Sequence, residues 1–345
     1  MRVAVYHNNR DLRLEERPRP SVGPGEVLLR VEASGICGSD VMEWYRVRTA
    51  PRVLGHEVAG TVEEAGAGVS RFRRGDRIVA THHVPCDTCR YCLTGRHSVC
   101  ETLRTTHFDP GGFSEFIRLP ALNVERGTFR LPDSVTADEA SFVEPLACVV
   151  RAQRISGLRP GQSVAVLGSG ISGALHIQVA RALGAGKIFA TDLSPFRLDM
   201  AGKLGADAAI RADDDVPARI REANEGRPAE QVLVCTAALP AVAQSFRCVD
   251  RGGTILFFAP VAPGITFPVP LHDIWNDGIT LVHSYAGPPA DMRTALDLIA
   301  ARRVDVASMV THRIGLDRIQ EGFDLVVRAD DSLKVIVDPR LAHSL

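Results

Sequence analysis

Ser163-Val164-Ala165-Val166-Leu167-Gly168-Ser169-Gly170-Ile171-Ser172-Gly173 is an aliphatic, β-branched run that stops at a glycine turn. Beyond it Ile171, Leu175, Val179, Ala182 and Leu183 recur at helical spacing and end at Gly184. The stretch therefore reads as strand, tight turn and helix. Gly168, Gly170 and Gly173 match G-x-G-x-x-G. The first glycine allows the turn, the second lets backbone approach a pyrophosphate, and the third lets helix and strand pack closely. Ser169, Ile171 and Ser172 complete the loop, and the helix N-terminus offers unpaired N–H groups to phosphate. Glycine-rich turns are common, so context decides. Residues 187–191 form a second strand-like run closed by Asp192. A carboxylate there accepts ribose hydroxyls and repels a 2′-phosphate, which favours NAD over NADP. Arg197 lies close enough to soften that preference, or along the adenosine edge or in solvent.

Working outward, residues 195–204 read as a helix, and 231–235, 253–258 and 279–282 as strands. Strand alternating with helix predicts a doubly wound parallel sheet over residues 151–285. Residues 1–150 differ in character. Short β-branched runs at 27–31, 59–62 and 77–80 are separated by Gly23-Pro24-Gly25 and Arg74-Gly75-Asp76, which predicts a β-rich, barrel-like domain. In the tail, residues 286–345, Met292, Ala295, Leu296 and Ile299 mark one amphipathic helix. Ile319, Phe323, Val326 and Val327 mark another, and 333–337 is a closing strand. The class is α/β, with two domains expected from 345 residues.

Forty Lys and Arg against 41 Asp and Glu leave no electrostatic case for nucleic acid or an anionic membrane. No apolar run reaches the ~18 residues of a membrane span, and the first ten residues lack the apolar stretch of a signal peptide. Eight cysteines, several in a metal-like array, fit a reducing compartment. The expectation is a cytoplasmic protein with a small-molecule partner.

Cys86, Cys89, Cys92 and Cys100 form a C-x₂-C-x₂-C-x₇-C array. Two-residue gaps turn successive sulfurs inward and the longer gap brings the fourth back, the pattern of a closed, structural Zn²⁺ site with no place for water. Cys37 stands in Gly35-Ile36-Cys37-Gly38-Ser39-Asp40, and nineteen residues later comes Gly55-His56-Glu57. A thiolate and an imidazole with carboxylates near form a mixed set suited to a Zn²⁺ that keeps an open position. Taken alone, Cys37 is commonly a small core residue and His56 a hydrogen-bonded one.

Together these motifs, with Gly75-Asp76-Arg77 and Glu144-Pro145-Leu146-Ala147, resemble the zinc-dependent medium-chain dehydrogenase/reductase family over almost the whole chain. Glu144-Pro145-Leu146-Ala147-Cys148 is most similar to its polyol and threonine dehydrogenase branch. The resemblance implies a GroES-like catalytic domain (1–150 and 286–345) with an NAD-binding Rossmann domain (151–285) inserted, the active site lying between them. It implies Cys37 and His56 as catalytic zinc ligands, with Glu144 and Glu57 as carboxylates whose order of ligation stays open. It also implies two Zn²⁺ per chain, a homodimer or homotetramer, and hydride transfer between NAD and a secondary alcohol or its ketone. Polyols, cyclitols and sugar derivatives are the expected class, with an L-threonine-like amino alcohol as alternative. A non-catalytic nucleotide-binding relative and a zinc-free enone reductase fit less well, since Cys37, His56 and Ser39 are all kept.

Ser39 occupies the family's hydroxyl position, suited to taking the substrate proton. Many relatives carry a histidine five residues after the cysteine as a relay. Here that residue is Met42, and a thioether relays no proton, which leaves His83, His107 or water. Trp44, Tyr45 and Arg46 are candidates to line the pocket, as is the loop from Thr106 to Gly112 with Phe108. His82 and His83 read as strand-end surface residues.

Overall fold

The four residues of the Val164–Leu167 strand are all buried, and a buried Val or Leu side chain contributes ~1.5–3 kcal/mol. Gly168 follows at φ +94°, and the helix Ile171–Ala182 starts from Gly170. A Cβ on Gly173 would stand 1.9 Å from the Gly168 carbonyl oxygen, so only glycine lets the helix close on the strand end. The strand–turn–helix expected from the sequence is thus present in the computed structural model, which describes residues 1–341.

Among the described residues the surrounding sheet has six parallel strands. Their order is Ala208–Arg211, Ile188–Asp192, Val164–Leu167, Ala229–Val234, Val249–Phe257 and Thr280–His283. Alternate side chains point to opposite faces. Ala165, Leu167 and Phe189 pack with Val216, Ile220 and Val242 on one side. Val164, Val166 and Ile188 pack with Ile177 and Ala180 on the other. Both faces are covered by helices, the doubly wound arrangement. The strand order reverses beside Val164–Leu167, and in such sheets ligands bind at the carboxyl ends of the strands flanking that point.

The chain divides into two units. This sheet belongs to the unit formed by Cys148–Tyr285 with Arg303–Asp305; Met1–Ala147, Ala286–Arg302 and the chain from Val306 onward form the other. In that other unit a larger sheet runs Val310–Ile314, Lys334–Val337, Val27–Gly35, Glu57–Ala65, Arg77–Ala80 and Thr128–Arg130, with Phe116–Leu119 also pairing to Val27–Gly35. A smaller sheet joins Asp11–Glu16, Arg2–Asn8 and Arg52–Val53. The two amphipathic segments of the tail are the helices Pro289–Ala300 and Ile319–Arg328. The closing strand sets Ile336 opposite Gly35, and Gly35 stands opposite Glu57 on its other side. The first and last segments of the chain thereby meet at one place. Among the described residues no helix is long and apolar enough to cross a membrane.

His176, on the Ile171–Ala182 helix, is fully buried. Gln153 Nε2 lies 3.0 Å from its Nδ1, and the Phe258 ring stands edge-on at 4.8 Å. Burial pushes its pKa down to about 3, against ~6.5 in an unfolded chain. Below pH ~6.5 the unfolded chain therefore binds a proton that the folded chain refuses, so stability is intact above that pH and falls as the pH drops. Between pH 7.5 and 5 this single group removes about 2 kcal/mol. Urea titrations at the two pH values should show that loss, and His176→Leu should shrink the pH-dependent part by about the same amount.

Candidate active site and metal centres

Cys37 follows the Val27–Gly35 strand, and His56 immediately precedes the strand that begins at Glu57. Adjacent pairing of these strands brings ligand atoms of Cys37, His56 and Glu57 within 4.8 Å of one another. His82, His83 and Glu144 form a second such group. The two groups are continuous: the His56 and His82 rings are 4.8 Å apart, His82 and His83 are 3.7 Å apart, and His83 Nδ1 is 3.8 Å from Glu144 Oε1. The sequence reading of His82 and His83 as surface residues is corrected here. The Arg77–Ala80 strand has ended, Thr81 Oγ1 accepts the His83 N–H, and the resulting turn directs both rings inward.

Three carboxylates lie in this cluster, and each is buried: Asp40, Glu57 and Glu144. Asp40 Oδ2 accepts the Cys37 N–H at 3.0 Å, while Oδ1 lies 3.4 Å from His56 Nδ1 and 3.2 Å from Arg46. Burial alone would raise its pKa, but His56 and then Arg46 more than offset this and hold it below the usual range. For His56 burial works downward, yet Asp40 and then Cys37 draw its pKa well above normal. The same pull acts on any cation placed there, and thiolate, imidazole and carboxylate are the donor set zinc takes at a site with an open position. Burial raises Glu57, against the pull of Lys334 and His56. Glu57 is paired with Lys334 Nζ, both side chains being almost fully shielded. A Cβ on Gly35 would lie 2.1 Å from Glu57 Oε2 and 2.5 Å from Lys334 Cε, so the glycine makes room for this pair. Glu144, at the start of the Val143–Ser156 helix, is held below the usual range despite burial, chiefly by His83 and then His56. His82 is pushed well below normal by burial and then by His83 and His56.

Ser39 donates its N–H to Cys37 Sγ at 3.4 Å. Its carbonyl and hydroxyl oxygens both accept from Arg46, at 2.9 and 2.8 Å. Arg46, a candidate substrate contact, is thus engaged by Ser39 and Asp40 and leaves its side chain 15 % exposed. Trp44 and Tyr45 are exposed, their rings 5.8 Å apart. Phe108 is buried in the apolar cluster with Val58 and Ile78, its ring centroid 6.1 Å from that of His82 in an edge arrangement, so in this structure it packs as a core residue. Asp40 and Lys334 were not singled out from the sequence. A lysine inside the apolar run at 333–337 was the available signal.

The four-cysteine lobe gathers by local turns. Sγ–Sγ separations are 3.6 Å for Cys86–Cys100, 3.5 Å for Cys89–Cys92 and 4.0 Å for Cys86–Cys92. A tetrahedron with Zn–S of ~2.3 Å requires ~3.8 Å, so the sulfurs already fit a structural zinc. Hydrogen bonds from Thr88 and then Cys89 pull Cys86 down to about 5, whereas burial pushes Cys92 up to about 12. All eight cysteines are free.

In the parallel-sheet unit, Asp192 ends its strand with Oδ2 accepting the Ser169 N–H at 2.8 Å and Oδ1 accepting that of Ser194 at 2.9 Å. The carboxylate is thereby locked to the glycine turn. Arg197 Nη1 lies 3.8 Å from it, with its guanidinium over Gly170. Gly168 to Gly173 form the turn itself.

A glycine-turn nucleotide fold together with a thiolate–imidazole–carboxylate cluster defines a zinc-type alcohol oxidoreductase. Comparison with known proteins agrees. Residues 23–133 match the alcohol dehydrogenase GroES-like domain and residues 172–301 the zinc-binding dehydrogenase family. The chain is 34 % identical to sorbitol dehydrogenase of Gallus gallus, covering 95 % of this chain and 94 % of that one. It is 33 % identical to L-threonine 3-dehydrogenase of Bacillus velezensis (94 % and 95 %). Among solved structures, 2R,3R-butanediol dehydrogenase of Bacillus subtilis superimposes with a TM-score of 0.86 at 29 % identity, covering 98 % and 99 %. The chain belongs to the zinc-dependent medium-chain dehydrogenase/reductase family, and is an enzyme that takes zinc and a nicotinamide cofactor.

Removing one partner of a buried pair leaves an uncompensated charge. Lys334→Met should lower the unfolding free energy by about 3–5 kcal/mol. Adding Glu57→Gln should recover most of that loss, as read by urea denaturation of the single and double variants.

Proposed function

We propose that the protein oxidises a secondary alcohol of a neutral or modified polyol, such as a sugar alcohol or cyclitol, with NAD. The observation that carries this reading is the gathering of the partly buried Cys37 and His56 with the buried Glu57, Ser39 beside them, in a chain 34 % identical to a sorbitol dehydrogenase. Two zinc ions per chain are inferred. One would be held by Cys86, Cys89, Cys92 and Cys100. The other would be held by Cys37 and His56, with Glu57 and Glu144 the carboxylates in reach. When bound, that zinc would stabilise negative charge on the substrate oxygen and lower the hydroxyl's pKa, and NAD would supply a hydride acceptor.

The chain's own residues do the rest. Asp40 holds His56 by its Nδ1 side and fixes the ring. Ser39 Oγ accepts the proton of the substrate hydroxyl, in place of any relay at Met42. Lys334 pairs with Glu57 and opposes the rise in its pKa that burial causes. Trp44 and Tyr45 offer aromatic faces to the CH surface of a polyol. Gly168, Ser169, Gly170, Ile171, Ser172 and Gly173 would bind the pyrophosphate, and Asp192 the ribose hydroxyls, with Arg197 beside it. A cytoplasmic homo-oligomer is part of the same reading. It is supported by an exposed edge strand, Thr280–His283, and by Leu271 and Trp275, which are 71 % and 79 % exposed.

NADH formation by zinc-replete protein should be measured with sugar alcohols, inositols, sugar acids, butanediol and L-threonine. Turnover of a polyol is expected, and Cys37→Ala should abolish it while metal analysis falls from two zinc ions to one. A preference for L-threonine would instead favour the amino-alcohol reading, and no turnover with any secondary alcohol would overturn the proposal. For the cofactor, Asp192→Ser should reduce the NAD-over-NADP ratio of kcat/KM at least about tenfold, since ~1.4 kcal/mol suffices for that change. An unchanged ratio would remove Asp192 from cofactor selection.

A further inference from the structure

Arg46 contacts Ser39 at two atoms. Nε donates to the Ser39 carbonyl at 2.9 Å and Nη2 to Ser39 Oγ at 2.8 Å, so one rigid guanidinium grips both oxygens of one residue. The same Nη2 lies 3.2 Å from Asp40 Oδ1, and the guanidinium stands 4.8 Å from the Tyr45 ring centroid. Asp40 is fully buried and Arg46 partly so. The reach is local: Met42 opens a single helical turn, Glu43–Arg46, which folds the Arg46 side chain back over residues 39 and 40.

A guanidinium has donors only and stays charged at any working pH. A hydroxyl has one proton and two lone pairs. Once Arg46 occupies one lone pair, Ser39 Oγ retains one lone pair and one O–H, both aimed by a fixed partner. A histidine at position 42 would be able to accept and pass a proton; Met42 does neither, and Arg46 only donates. We propose that Arg46 is a positioning residue for Ser39. It leaves the hydroxyl with a single acceptor site for the substrate's proton and a single proton to release, and it holds positive charge beside Oγ as that exchange occurs. The proton balance is simple. The substrate O–H bond breaks as a new bond to Ser39 Oγ forms, and the proton Ser39 already held passes to water. Arg46 neither gains nor loses one. This inference rests on the proposed role of Ser39 in alcohol oxidation.

The test uses the zinc-replete protein with the best polyol of the panel. Arg46→Lys keeps charge but loses the two-point grip, and Arg46→Ala leaves space for a small cation. Loss of a preorganised donor of this kind costs about 10²–10³ in rate. Because the contact is to Ser39 and not to substrate, both variants should lose about 10- to 100-fold in kcat. KM should stay within about threefold, while the solvent deuterium isotope effect on kcat rises above that of the unmodified protein. Guanidinium added to Arg46→Ala should restore part of kcat, and methylammonium should not. Zinc content should stay at the unmodified value in both variants. Unchanged kcat in both variants would overturn the inference while leaving the proposed function standing. Zinc loss, or a fall in kcat that guanidinium does not relieve, would overturn it in favour of a structural brace on Asp40. If the unmodified protein oxidised no secondary alcohol, the proposed function would fall and this inference with it.

Discussion

Buried negative charge is the constraint on which the first unit is built. Asp40, Glu57 and Glu144 are all nearly inaccessible and share a small volume with the Cys37 thiol. Burying an ion without a partner costs several kcal/mol, so each carboxylate must be met by cationic or donor groups. Arg46, His56 and the Cys37 N–H meet Asp40, Lys334 meets Glu57, and His83 meets Glu144. The Glu57–Lys334 contact spans 277 positions of sequence. The strand carrying Lys334 must therefore return beside Val27–Gly35 for Glu57 to meet its cationic partner. Closure of the unit and charge balance at its site are one interaction. Gly35 follows from it, because any side chain there would occupy the place where the pair meets.

What the sequence revealed divides along the same line. The glycine turn at 168–173 and the cysteine lobe are local, and their chemistry depends on spacing within a few residues. Strand, turn, helix and sulfur cluster were accordingly legible, and the observed sulfur separations match a tetrahedral ion. The partners of the buried carboxylates were not legible, because each depends on where distant segments meet. Lys334 sits in a run otherwise apolar, and nothing near it in sequence points to Glu57. His82 and His83 lie just past a strand, where alternation would send one ring inward and one outward. The Thr81 hydroxyl instead captures the His83 amide and turns the chain, so that both rings pack inward. Phe108 lies in a glycine- and proline-containing loop that reads as a candidate pocket wall, yet its ring packs among the apolar side chains of the larger sheet, such as Val58 and Ile78, with His82 nearby.

The two sulfur-bearing clusters also differ in how they are made. The lobe gathers its four donors within one short segment, so its assembly needs only local turns, and no carboxylate is among them. The other cluster takes its donors from two neighbouring strands, a turn and a helix start, which fixes their geometry only once the sheet has formed. A site assembled from separate elements can hold unlike donors at unequal distances, as a reacting centre needs, whereas four like donors on one loop favour a closed ion.

Stability alone does not explain the second arrangement. Replacing a buried ion pair by apolar side chains of similar volume is often neutral or favourable, by about 1–4 kcal/mol. A methionine and a leucine at positions 334 and 57 would fill the space without any need for charge balance. The chain instead carries a lysine, a glutamate and the glycine that accommodates them, and beside them an aspartate ion-paired with an arginine. Groups held this firmly reorganise little when charge moves nearby, and fixed dipoles and charges are worth most where water is excluded. The buried polar network is thus the costly part of the fold and the part suited to chemistry, while the apolar clusters around both sheets supply the stability that lets it persist.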